Sequence, residues 1–133
     1  MAETMATAAT APNEASPHGP DWDAVRRIAL ALPGVEEGTS YGTPAFKVKD
    51  KLMVRLKEDG ETIVLFVNLF ERPHLLDAEP ALFYITDHYR DWPNVLLRLR
   101  VVSELRLREA VLESWRFRAP AKLVAAYDAA GDR

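Results

Sequence analysis

Residues able to do chemistry are few in this chain, and their spacing excludes more than it suggests. There are 3 histidines and no cysteine in 133 residues. The missing cysteines remove disulfides, thiolate nucleophiles and cysteine-based zinc sites, and they fit a cytosolic protein. His18, His74 and His88 stand far apart. Asp77 follows His74 by three residues, a pairing common on helix surfaces, so no metal site is expected. No G-x-S-x-G surrounds Ser40, Ser103 or Ser114, and Glu36-Glu37 reads as a solvated loop pair. Gly34, Gly38 and Gly42 do not match a phosphate-binding loop. No catalytic residue, metal or cofactor is assigned, and a non-enzymatic role is expected over an enzymatic one.

Two other constellations remain. Tyr84, His88, Tyr89 and Trp92 fall close together, and Tyr41 lies in a glycine-bearing loop that can join them. Such a cluster reads first as a packed loop closing the core. Its functional reading is a stacking or ligand-holding surface, because flat rings with polar tips accept bases or small ligands. The second constellation is basic. Between Ile85 and Lys122 there are eight Lys or Arg against five Asp or Glu, in a chain of net charge −3. Arg116, Arg118 and Lys122 flank Pro120, and Arg98 and Arg100 alternate on a strand. Arginines on exposed faces are usually just solvated; converged, these five would make a phosphate-binding face.

The elements that must position these residues follow from periodicity. Residues 1 to 20, rich in Ala, Thr and Pro, read as a disordered tail, and 21 to 130 as one domain. No apolar run is long enough to cross a membrane, and the N-terminus lacks secretory and mitochondrial patterns, so a cytoplasmic location is expected. Asp21 caps a helix whose face is Val25, Ile28, Ala29 and Leu32, ended by Pro33-Gly34. A loop is expected through Tyr41-Gly42. Three strands follow, turning at Asp50 and at Asp59-Gly60. Leu52, Val54 and Leu56 should face the core, and Lys51, Met53, Arg55 and Lys57 a basic, wet surface. The third run, Thr62 to Asn68, should be central and covered on both faces. A short helix over 71–79, a brief extended piece at 83–85, and a strand over 94–101 come next. Ser103 caps an amphipathic helix stapled by Val102 and Leu107, and a last short helix follows Pro120. The sum is an α+β fold: an antiparallel sheet of about four main strands with helices packed on one face.

Several stretches resemble the MmcQ/YjbR family, in family order. They are Ala-Leu-Ala-Leu-Pro-Gly-Val (29–35), Gly-Thr-Pro-Ala-Phe-Lys-Val (42–48) leading into Lys51-Leu-Met, Thr-Asp-His-Tyr (86–89), and Trp-Arg-Phe-Arg-Ala-Pro (115–120). The resemblance runs from about Asp21 to Ala129. It implies a frataxin-like, double-wing α+β fold and a DNA-binding or regulatory role. The family's longer histidine-bearing stretch is shortened here to His88-Tyr89-Arg90-Asp91-Trp92. Iron handling would need an acidic ridge that Asp21 and Asp23 alone do not supply. On this reading Arg98, Arg100, Arg116, Arg118 and Lys122 contact phosphates, and DNA binding is weak and steeply salt-dependent. The alternative is a small-molecule or protein interaction module built on Tyr41, Tyr84, His88, Tyr89 and Trp92. One shared face for the arginines favours nucleic acid, and scattered faces favour the module.

Overall fold

The computed structural model describes residues 19 to 131. The tail assigned to residues 1–20 therefore lies outside the described residues except at its end. There Gly19, at φ 79°, sits so close to the main chain of Leu99 and Arg100 that an added Cβ would lie 2.3 Å from the Leu99 carbonyl oxygen. Pro20 is buried. The described residues thus begin two positions before the first helix cap, Asp21.

Helix α1 (Trp22–Leu30) begins where Asp21 Oδ1 accepts the Ala24 N–H at 3.1 Å. A meander follows: β1 (Val35–Ser40), β2 (Thr43–Val48), β3 (Lys51–Leu56) and β4 (Thr62–Phe66). Then come α2 (Arg72–Ala78), β5 (Phe83–Tyr84), a 3-10 turn at Asp87–Tyr89, β6 (Asn94–Arg98), α3 (Glu104–Arg118) and α4 (Ala121–Gly131). The sheet has six strands, all antiparallel, in the order β1-β2-β3-β4-β6-β5. The expectation of about four main strands is corrected at both edges. The stretch read as a loop before Tyr41 is β1, which pairs with β2 along its whole length although its two glutamates point to water. Phe83-Tyr84 is a two-residue edge strand. The strand expected to run to Val101 ends at Arg98, and Val101 is exposed beyond it.

Helices α1 and α3 cover one face. Between them and the sheet lie Val25, Phe46, Ile63, Leu65, Leu97, Leu107 and Trp115, all fully buried or nearly so. Helices α2 and α4 add Leu75, Leu76, Leu123, Val124 and Tyr127 to the same core. Ser103 Oγ accepts the Arg106 N–H at 3.1 Å to start α3, and Val102 and Leu107 are both buried, as a hydrophobic staple requires. β4 is central and buried on both faces.

The opposite face departs from expectation, and a bulge is the reason. Phe46 pairs with Val54 but Lys47 pairs with Leu52, so Met53 is an extra residue in β3. Met53 and Val54 both enter the helix-covered core. Parity therefore shifts, and Leu52 and Arg55 share the outer face. Arg55 is only 7% exposed rather than wet. Around it the register sets one row across the outer face: Ala45, Arg55, Val64, Leu96 and Tyr84. Ala45, Val64 and Leu96 are buried, Tyr89 folds over the last two, and Tyr84 packs beside them.

Candidate functional site

The outer face carries a cleft of about 360 Å³. Its floor is Leu52, Arg55, Val64, Phe66 and Asn94, and its walls are Tyr41, Glu58, His88, Tyr89 and Trp92. Each wall has a local cause. β1 and β2 are joined by a two-residue turn, Tyr41-Gly42, with Ser40 opposite Thr43. Both turn residues have positive φ, 53° and 81°. That suits the right-handed twist of a hairpin, but a tyrosine in the left-handed region is strained. The turn holds Tyr41 out at 83% exposure with its ring 5.4 Å from the Arg55 guanidinium.

The 86–93 loop supplies His88, Tyr89 and Trp92, and Arg72 organises it. Nη1 of Arg72 donates to the carbonyls of Tyr89 (3.2 Å), Trp92 (2.8 Å) and Asn94 (3.0 Å), and Nη2 to that of Arg90 (2.6 Å). Arg72 is 9% exposed. Four inward-turned carbonyls replace the carboxylate that a buried arginine normally needs. The loop is thereby wound around one side chain from the first residue of α2. No sequence signal distinguishes Arg72 from a surface arginine.

Arg55 is similarly engaged. It donates to the Tyr89 hydroxyl at 3.0 Å, to Thr43 Oγ1 at 3.1 Å and to Glu58 at 3.4 Å. Glu58 is held below the usual carboxylate range by a backbone hydrogen bond and then by the Arg55 charge. His88 is exposed and meets the Tyr89 ring edge-on, with centroids 4.8 Å apart. Asp87 is paired with Arg90. Trp92 is 59% exposed. Asn94 is the anomaly: the residue is 4% exposed, and its Oδ1 is buried with no hydrogen-bond partner among the described residues.

Four of the five aromatic candidates, Tyr41, His88, Tyr89 and Trp92, thus meet around one cleft. Tyr84 does not line it; its ring lies under Arg98, 4.2 Å from the guanidinium carbon. Leu52, Arg55, Phe66 and Asn94 were not among the candidates. The bulge that turns Leu52 and Arg55 to one face breaks the alternation by which strand faces are read.

The five basic candidates do not gather on one surface. Arg98, opposite Thr62, donates to the carbonyls of Pro80 and Ala81, both at 3.2 Å. Arg100 pairs with Glu61 just before β4. Arg118 lies over the Phe66 ring at the other end of β4, 4.7 Å from its centroid, and donates from Nε to the Leu52 carbonyl at 2.8 Å. Four residues of strand, roughly 13 Å, separate Thr62 from Phe66. Arg116 makes a two-pronged bond to Asp128, at 2.6 and 3.0 Å, which raises the arginine's pKa and lowers the aspartate's. Lys122 is exposed on α4.

A second cleft, also of about 360 Å³, opens between α2 and α3 and is lined by Leu75, Phe83, Arg106, Glu113 and Arg116 among others. Its arginines are already satisfied, Arg106 by Glu79 at 2.7 Å and Arg116 by Asp128. Among the described residues no group of three or more His, Asp or Glu is placed to hold a metal ion, and no helix is long and apolar enough to cross a membrane.

A family profile described as YjbR matches residues 30–117. The curated relatives include uncharacterized protein Rv2570 of Mycobacterium tuberculosis strain H37Rv and uncharacterized protein Mb2600 of Mycobacterium bovis. Each is 30% identical over 78 residues, 59% of this chain and 53% of the relative. The chain therefore spans about half the length of the curated relatives it matches. Among solved structures, a Deinococcus radiodurans protein, DR2400, with a domain of the DUF419 family, aligns at a TM-score of 0.63 and 22% identity, covering 77% of this chain and 80% of that one. At that identity the likeness concerns the fold alone.

Proposed function

The chain belongs to the YjbR family, and from that premise we propose that its domain is a ligand-binding module whose site is the outer cleft. The ligand class is a small molecule with a planar, ring-like body. One observation carries the reading: Asn94, buried in the cleft floor, has an acceptor that nothing among the described residues satisfies. A buried polar atom left without a partner costs about 1–3 kcal/mol. No hydrogen bond holds the amide, so it can turn about its last torsion to meet a ligand. The exposed rings of Trp92 and Tyr41 beside it supply stacking surface, and the strained backbone at Tyr41 points the same way.

The reading is of binding without chemistry. His88 is exposed, and the carboxylate next to it is taken by Arg90. As part of the same proposal the domain works in the cytoplasm, in keeping with its cysteine-free composition. The nucleic-acid reading draws less support, because Arg98, Arg100 and Arg116 are engaged within the chain and Arg98 and Arg118 lie at opposite ends of β4.

The test is an NMR titration of the full chain with a library of planar aromatic fragments. Shifts should concentrate on the amides of Leu52, Val64, Asn94 and residues 86–93. Trp92→Ala should weaken the hits roughly three- to tenfold. Shifts confined to the α2–α3 cleft, or none, would overturn the proposal. In parallel, fluorescence anisotropy with duplex and single-stranded DNA should show no binding at physiological salt. Retained binding that an Arg116→Ala, Arg118→Ala, Lys122→Ala variant abolishes would restore the phosphate-face reading.

A further inference from the structure

Arg118 stands apart from the other described arginines. Arg26, Arg27, Arg55, Arg90, Arg100, Arg106, Arg108 and Arg116 are all in ion pairs. Arg72 and Arg98 spend terminal amino groups on carbonyls. Arg118 meets no carboxylate among the described residues, and only its Nε donates, to the Leu52 carbonyl. Neither terminal amino group donates to any described residue. The group is nevertheless fixed in place: it lies over Phe66 at 4.7 Å and near Phe117 at 5.9 Å. Partial burial pushes its pKa down, as expected for a cation with no counter-charge.

Its position matters as much as its vacancy. Leu52 and Phe66, the two residues that hold it, are floor residues of the outer cleft, and Phe66 pairs directly with Asn94. A structural role, covering one carbonyl and two rings, would be met equally by a group with no free fork. Four N–H donors in a plane already set by stacking match a carboxylate or a phosphate, and little side-chain freedom remains to be lost on binding.

We infer that the ligand of the outer cleft carries an oxyanion, a carboxylate or a phosphate, which docks on the free fork of Arg118 while its planar body lies over Phe66 and Leu52. This rests on the cleft being the ligand site, and the test separates the two. The full chain is titrated, with amide NMR as readout, against two matched pairs: indole-3-carboxylate with indole-3-carboxamide, and phenyl phosphate with phenol. At least one anion should bind about tenfold or more tighter than its neutral twin, and which pair shows the preference separates carboxylate from phosphate. Arg118→Gln should erase the preference, bringing the anion's affinity down to that of its neutral twin. Should that variant fail to fold, Arg118→Lys decides: it keeps the charge but loses the fork, and the preference should fall several-fold. Equal affinity within both pairs, with Leu52, Val64 and Asn94 shifting, would overturn the oxyanion and leave the cleft standing. No shift at those amides with any of the four probes would overturn both.

Discussion

Asn94 has its main chain fully used and its side chain idle. Its N–H donates to the Trp92 carbonyl at 2.8 Å, and its carbonyl accepts from Arg72. Those bonds fix where the residue sits, while Oδ1 is left buried and unpaired. An unpaired buried acceptor lowers stability. Asn94→Val, which removes the unpaired acceptor and suits a strand, should raise the unfolding free energy by about 1 kcal/mol. Urea denaturation measures that gain, and the same variant should lose affinity for the planar probes. A loss of stability instead would mean that the amide is satisfied in solution, for example by water, and that its idleness signifies nothing. The sequence shows an asparagine after a proline at the start of a strand; only the register, which sets it opposite Phe66, makes it a floor residue.

At the scale of elements, the 86–93 loop depends on a residue in a different element. Aromatic spacing marked His88, Tyr89 and Trp92 as a cluster, because rings a few residues apart in a short loop cannot lie far apart. What gives the loop its shape, the Arg72 clamp, reaches 17 to 22 residues along the chain. Arg72→Lys keeps the charge but replaces a planar fork with a point donor, so several carbonyls lose their partners. The cost should be roughly 2–4 kcal/mol in unfolding free energy, with hydrogen exchange accelerated first at the 86–93 amides. Unchanged exchange there would show that the loop holds its shape by ring packing alone. Helix boundaries were more legible than loops. Asp21, Ser103 and Pro120 act on their immediate neighbours, and α1, α3 and α4 begin where those residues require.

For the molecule as a whole, α1, α2 and α3 are cross-linked by carboxylates. Glu104 is held below the usual range by its hydrogen bond from Arg27, then by that residue's charge, and Glu79 by its hydrogen bond from Arg106. A folded pKa below the unfolded one contributes stability that is fully present above the unfolded value and is lost as pH falls through the folded one. The melting temperature should therefore be level from neutral pH to about 5 and fall below about 4. Glu79→Gln and Glu104→Gln should each flatten that fall while lowering the plateau. A Tm that already declines between pH 7 and 5 would point to some other group.

Composition, periodicity and local punctuation determined the class of this protein by themselves. Helix caps, turn residues and alternating strands act over a few residues, so the α+β antiparallel plan and its core could be read directly from the chain. Six strands in place of about four, and a packed outer face in place of a wet one, were decided by tertiary structure. Edge strands earn their place by pairing rather than by pattern, as Glu36 and Glu37 do against β2. A single extra residue, Met53, inverts every side chain on one flank of it, and no periodicity announces where a bulge will fall. The candidate site was decided the same way. Arg55, Arg118 and Asn94 acquire their roles from partners on other strands and helices, and those neighbours exist only once the sheet has formed.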